Sequence, residues 1–195
     1  MKNHKSSKIK IDSRGYIMEK FKKISEKDIY EGIRVHLITE QIELPNGKEV
    51  TWELIKHIGA AAVIPIDDEG KIIMVKQYRN ASDSITLEIP AGTLDVKNEN
   101  PLDCAIRELE EETGYISNDL EFLFKFYSSI GICDEVISIY VAKNLVKTRQ
   151  NLDEDEFVEI YRYTLAELVE MIYDGTIVDN KTISSILAYK VKYKL

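Results

Sequence analysis

An α/β fold with a mixed β-sheet, preceded by an antiparallel β-ribbon, is predicted by three features of the sequence. Two nearly unbroken apolar runs, residues 60–66 and 71–77, have the length and composition of central strands. A helical apolar period then occupies residues 101–113. Beyond it, short strand-like runs are followed by two more helical segments.

Residues 1–14 are polar and basic with little to pack, and are expected to form a flexible arm. Residues 15–57 are expected to form a helix and β-ribbon, because runs carrying Val35, Leu37 and Thr39 and then Val50, Trp52 and Leu54 flank the turn signal Pro45-Asn46-Gly47. The apolar runs at 60–66 and 71–77 are joined by Asp67-Asp68-Glu69-Gly70, which predicts a second hairpin. Within residues 101–113, Leu102, Ala105, Ile106 and Leu109 recur at i, i+3, i+4 and i+7, and Gly114 is placed to end the helix. Strands are predicted at 120–127, 136–142 and 157–163, with a loop at 128–135. Thr164-Leu165-Ala166-Glu167 is a capping box opening a helix that runs to residue 174, and a last helix is expected at 182–192.

Hydrophobic residues at 44% and charged residues at 31% describe an ordinary globular chain rather than a disordered or fibrous one. The formal net charge of -8, from 26 Lys and Arg against 34 Asp and Glu, disfavours nucleic acid and anionic lipid as partners. No run approaches the roughly 20 apolar residues that span a bilayer. The basic N-terminus is not followed by the apolar run of a secretory signal, so cytoplasmic residence is expected. Cys104 and Cys133 lack metal-ligand spacing and are expected to be free thiols.

The chemistry gathers at the end of the helix, in Arg107-Glu108-Leu109-Glu110-Glu111-Glu112-Thr113-Gly114. A helix C-terminus carries partial negative charge, so each carboxylate there is disfavoured by roughly 0.3–1 kcal/mol. Glu111 lies four residues from Arg107 and can pair with it, which leaves Glu108 and Glu112 as an uncompensated pair on one face. In isolation such a run is a solvated helix face; alternatively, a divalent cation compensates it. Oxygen-only ligands suit Mg2+, with Mn2+ as an alternative, and Mg2+ completes its shell with water and phosphate oxygens.

The wider context favours the second reading. Gly92, Glu99, Arg107, Glu108, Glu111, Glu112 and Gly114 resemble the Nudix box, G-x5-E-x7-R-E-U-x-E-E-x-G-U with U apolar. The spacing departs once, with six residues rather than five between Gly92 and Glu99, and Tyr115 takes the final apolar place. The resemblance implies an α/β/α sandwich around a mixed sheet, occupying residues 58–195 as a Nudix hydrolase domain. It also implies that Glu108, Glu112, Glu111 and the Ala91 carbonyl hold the metal, while Arg107 orients Glu111 and its neighbours.

Val75-Lys76-Gln77-Tyr78-Arg79 followed by Leu87-Glu88-Ile89-Pro90-Ala91-Gly92 resembles the ADP-ribose pyrophosphatase branch of that family. The likeness implies that Arg79 contacts substrate phosphate and that Glu88 helps hold substrate. The loop Ser129-Ile130-Gly131-Ile132-Cys133-Asp134-Glu135 is similar to the branch's S-P-G-x-x-x-E segment, whose glutamate, here Glu135, positions or activates the attacking water; Asp134 is the competing carboxylate. Ile130 stands where the branch has proline, which leaves other nucleotide sugars, dinucleoside polyphosphates, or a nucleotide-binding sensor as alternatives. Trp52, with Glu53 beside it, matches an aromatic that stacks on adenine across a dimer interface, although a strand tryptophan is commonly core. A homodimer formed through the ribbon, hydrolysing ADP-ribose to AMP and ribose 5-phosphate, is the expected state and activity.

Overall fold

The computed structural model describes residues 20–96, 98–152 and 156–195. The arm at 1–14 lies outside the described residues. The chain divides into two compact units, Met1–Lys56 and His57–Leu195.

In the first unit, β1 (Lys22–Glu31), β2 (His36–Glu43) and β3 (Glu49–Lys56) form an antiparallel sheet in the order β1-β2-β3. The predicted ribbon is β2 and β3, closed by a Leu44–Lys48 backbone hydrogen bond of 2.9 Å around Gly47, whose φ is 78°. The expected helix is not found among the described residues 20–56, and β1 takes part of that segment. Burial in β2 falls on Ile38 and Ile42, the opposite phase from Leu37 and Thr39. β1 is exposed along its whole length and is fixed by cross-strand pairs such as Lys22–Glu43 (2.8 Å) and Lys23–Glu40 (2.9 Å).

The second unit contains β4 (Ala60–Pro65), β5 (Ile72–Arg79), a 3-10 turn at Asn80–Ser82, β6 (Ser84–Glu88), β7 (Ala91–Thr93), α1 (Pro101–Thr113) and β8 (Tyr115–Ile116). β9 (Asp119–Tyr127), β10 (Val136–Lys143), β11 (Val146–Lys147), β12 (Glu159–Tyr163), α2 (Leu165–Tyr173) and α3 (Asn180–Tyr193) follow. One sheet has the order β7-β4-β10-β9, with β4 and β10 parallel and the other pairs antiparallel; a second, antiparallel sheet has the order β12-β5-β6. β8 and β11 form a separate short ribbon.

The expected hairpin of β4 with β5 is corrected. Asp67 does close the turn, accepting from the Glu69 and Lys71 amides at 3.0 and 2.9 Å, but only the single bridge Ile66–Ile72 joins the two arms. They then part into different sheets. β4 is buried at every position because both its faces are covered. Ala60, Ala62 and Ile64 face a core shared with Ile72, Met74, Leu87, Leu168 and Ile186, from the second sheet, α2 and α3. Ala61 packs with Cys104 and Ala105 of α1, and Val63 packs with Leu109. The result is a layered α/β sandwich. Among the described residues no helix is long and apolar enough to cross a membrane.

α1 has the predicted limits because its ends are chemically marked. Asn100 caps the start by accepting from the Leu102 and Asp103 amides at 2.9 and 3.1 Å, Pro101 takes the first helical position, and Gly114 ends the helix in the left-handed region at φ 68°. Its packed face, however, is rotated from the expected one. Leu102 and Ile106 are exposed, whereas Glu108 and Glu112 are 7% and 2% exposed. The row Cys104, Glu108, Glu112 lies beside Ala105 and Leu109 on the inward surface, so the carboxylates take positions an apolar pattern assigns to solvent. The capping box of α2 forms as predicted, and α3, capped by Asp179, begins at Asn180, two residues before its expected start.

Candidate active site

The loop from β7 into α1 and the C-terminal half of α1 are bound together by Arg107. Its guanidinium donates to both Glu99 oxygens (2.9 and 3.1 Å), to Glu108 (2.6 Å), to Glu111 (2.8 Å) and to the Thr93 carbonyl (3.1 Å). Hydrogen bonding from Arg107 holds the Glu99 carboxyl below the usual range. Arg107 therefore serves Glu108 as well as Glu111, and the expected uncompensated pair reduces to Glu112. That residue accepts one backbone N–H, from Ala91, at 2.9 Å.

Burial pushes the Glu112 carboxyl up to about 8, against the opposing pull of the Ala91 amide. Burial likewise pushes Glu108 up to about 7 despite the charge and hydrogen bond of Arg107. Gly92 supplies the room: a Cβ there would lie 1.7 Å from Glu108 Oε1. Two carboxylates desolvated side by side against Ala91 and Gly92 fit a hard divalent cation, which would offset the cost of their charge. Among the described residues no three His, Cys, Asp or Glu side chains are grouped so that they alone could hold a metal ion.

The β5–β6 hairpin carries the second charged group. Arg79 donates to Glu88 through Nε (2.8 Å) and Nη2 (2.7 Å), a bidentate pair. Glu88, 2% exposed, also accepts from Thr86 Oγ1 (2.6 Å) and from Lys181 Nζ of α3. Burial alone would raise the Glu88 carboxyl, but the Arg79 hydrogen bonds, the charge and hydrogen bond of Lys181 and the Thr86 hydroxyl together hold it down to about 2. A carboxylate depressed by folding contributes fully above its unfolded value of about 4.5, and its contribution fades as pH falls from there toward 2. Melting temperature should therefore fall more steeply between pH 5 and 3 in the wild type than in Glu88→Gln. Parallel curves would remove Glu88 as an acid-sensitive strut.

Glu135 closes the loop before β10. Ile137, two residues on, pairs with Ala60, which pairs with Thr93, so the loop lies about 10 Å across the sheet from the β7 end, at two strand spacings. Its carboxylate is 3.4 Å from His57 Nδ1, a nitrogen that accepts from the Gly59 amide at 3.0 Å. Asp134 has a structural task, accepting from the His57 amide at 2.8 Å. Ile130 is 77% exposed on the same loop.

Trp52 and Glu53 lie in the N-terminal unit and both are exposed; the indole is tilted against Phe21 with centroids 5.7 Å apart. Core packing is thus not what Trp52 does within that sheet. Sequence reasoning missed Thr86, Asp179, Lys181 and His57 as neighbours of the charged groups. Only the Asp179–Thr182 spacing, a helix-cap signal, pointed near any of them. Cys104 and Cys133 are free; Cys104 is buried under α1, where desolvation pushes its thiol up to about 12.

Residues 56–185 match the family model described as the NUDIX domain. The chain belongs to the Nudix family. Curated relatives align over most of its length. It is 42% identical over 174 residues to the ADP-ribose pyrophosphatase of Bacillus subtilis (strain 168), covering 88% of this chain and 91% of that protein. It is 45% identical over 167 residues to the methanol dehydrogenase activator of Bacillus methanolicus, covering 85% and 90%. A crystal structure described as an ADP compounds hydrolase superposes with a TM-score of 0.82 at 23% identity, covering 92% of this chain and 97% of the other, which confirms the Nudix fold.

Proposed function

We propose that this Nudix protein hydrolyses the diphosphate bond of ADP-ribose, releasing AMP and ribose 5-phosphate, with Mg2+ as the metal and Mn2+ as a substitute. The observation that carries the reading is the buried pair Glu108 and Glu112, held against Ala91 and Gly92 at the end of α1, where Glu108 is bonded to Arg107 and, among the described residues, no cationic side chain is hydrogen-bonded to Glu112. The similarity to the Bacillus subtilis ADP-ribose pyrophosphatase supports the choice of substrate.

Glu108, Glu112, Glu111 and the Ala91 carbonyl would hold the cation. When bound, the cation supplies Lewis-acid polarisation of the diphosphate oxygens and makes a nearby water more acidic. Arg107 keeps Glu108, Glu111 and Glu99 in fixed positions and does not touch substrate. Glu135 takes the proton of the attacking water as its oxygen bonds to phosphorus and the bridging P–O bond breaks. Arg79, 44% exposed, carries its positive edge to the diphosphate, and Glu88 serves substrate through Arg79. Trp52 offers an exposed aromatic face to adenine, with Glu53 beside it, and the N-terminal sheet is the surface through which a cytoplasmic homodimer would form.

The first test is AMP release from ADP-ribose with Mg2+ and with EDTA, beside other nucleotide sugars and a dinucleoside polyphosphate. Metal-dependent release that is strongest on ADP-ribose supports the reading. Preference elsewhere would assign specificity to the loop carrying Ile130. Tight binding of ADP-ribose without turnover would make the protein a sensor and end the hydrolase proposal.

A further inference from the structure

We propose that Lys181 is a positioning residue for Arg79: it keeps the buried Glu88 paired, so that Arg79 is free to engage a substrate phosphate. This rests on the diphosphate reading given above. Glu88 accepts from Arg79 Nε and Nη2, Thr86 Oγ1 and Lys181 Nζ, which fills the roughly four acceptor sites of a carboxylate. It therefore has no acceptor left for substrate and acts by what it holds. The two bonds from Arg79 come from the most solvent-facing member of the group, and among the described residues its Nη1 finds no acceptor.

Arg79 can offer its Nη1 edge to a phosphate, and any movement toward the phosphate that lengthens the Nε or Nη2 bond weakens the pairing of Glu88. With Arg79 as its only cation, a 2% exposed carboxylate would be stranded, which is strongly unfavourable. Lys181 removes that conflict. Its side chain is 12% exposed and is tied separately to Asp179 at 3.0 Å, so its place does not depend on Arg79. Asp179 is itself fixed, accepting from the Thr182 amide (3.0 Å) and hydroxyl (2.6 Å), while Thr182 Oγ1 accepts from the Ile89 amide (3.0 Å), next in sequence to Glu88. The first turn of α3 is thus joined directly to the strand end that carries Glu88. Lys181 also lies within electrostatic reach of Glu112, which places the network beside the cation-binding carboxylates.

The test is a double-mutant cycle on ADP-ribose hydrolysis with Mg2+, using Lys181→Met, Glu88→Gln and the double variant, with Lys181→Arg as the charge-keeping control. Loss of the lysine should raise KM about tenfold and leave kcat within about threefold, because a charge-assisted bond is exchanged while the reacting groups are untouched. In the Glu88→Gln background the same change should move KM less than about twofold, since no buried charge then holds Arg79 back. The Lys181→Arg variant should stay within about threefold of wild type in KM, and this holds as the test if Lys181→Met does not fold. Equal KM changes in both backgrounds, a tenfold rise in Lys181→Arg, or a parallel fall of kcat and melting temperature would overturn the proposal. Wild-type turnover is measured in the same assay: no turnover overturns the diphosphate reading and this inference with it, whereas turnover with KM unmoved in Lys181→Met overturns only the role of Lys181.

Discussion

Glu112→Gln is expected to lower kcat for ADP-ribose by about 10²–10³-fold while leaving the metal-free protein at least as stable as the wild type. Both halves follow from one environment. Glu112 is 2% exposed, burial pushes its carboxyl up to about 8, and among the described residues its carboxylate accepts one hydrogen bond, from the Ala91 amide. Glutamine has the same shape and accepts the same N–H without a charge to desolvate, so the fold loses an unfavourable group. A cation bound at the proposed site would lose one of the negative charges that hold it. Kinetics with Mg2+ and melting curves in EDTA check the two halves, and Mg2+ should raise the melting temperature of the wild type more than that of the variant. Near-wild-type turnover would remove Glu112 from the metal site; a low melting temperature would reduce the effect to misfolding.

Gly92→Ala should also lose about 10²-fold in activity, for a steric reason. The added methyl would sit 1.7 Å from Glu108 Oε1 and 2.1 Å from its carboxyl carbon, far inside van der Waals contact. Because the obstacle is a side-chain end rather than backbone, the carboxylate can swing away and the fold survives. The melting temperature is expected to drop only a few degrees, on the order of 1 kcal/mol at this chain length. What moves is the group that should face the cation, away from its 2.6 Å contact with Arg107. A variant that stays active would mean Glu108 does not need its present position.

The two predictions turn on residues whose roles were only half legible in the sequence. α1 could be delimited to the residue because Pro101 and Gly114 mark its ends by backbone chemistry that needs no tertiary context. Its inward face could not. Apolar periodicity placed Leu102 and Ile106 inside and the glutamates outside, and a functional site is where that rule breaks. The turn at Asp67–Gly70 was readable, yet the parting of β4 from β5 was not, since a strand apolar on both faces gives no sign of which sheet it joins. β1 was missed because it buries neither face. The Nudix box named most of the carboxylate cluster, whereas Lys181 is 93 residues from Glu88 and only the fold brings them together.

β4 is bonded on one edge to β7 and on the other to β10, and both of its faces are covered. Its amides have no route to solvent short of complete opening of the unit, so deuterium should reach residues 61–64 last of all. Gly92 pairs with Ala61, so the floor beneath Glu108 is expected to belong to that slowest-exchanging part. Local openings elsewhere, at the rim or along the outer helices, can then come and go without disturbing the platform on which the carboxylates rest.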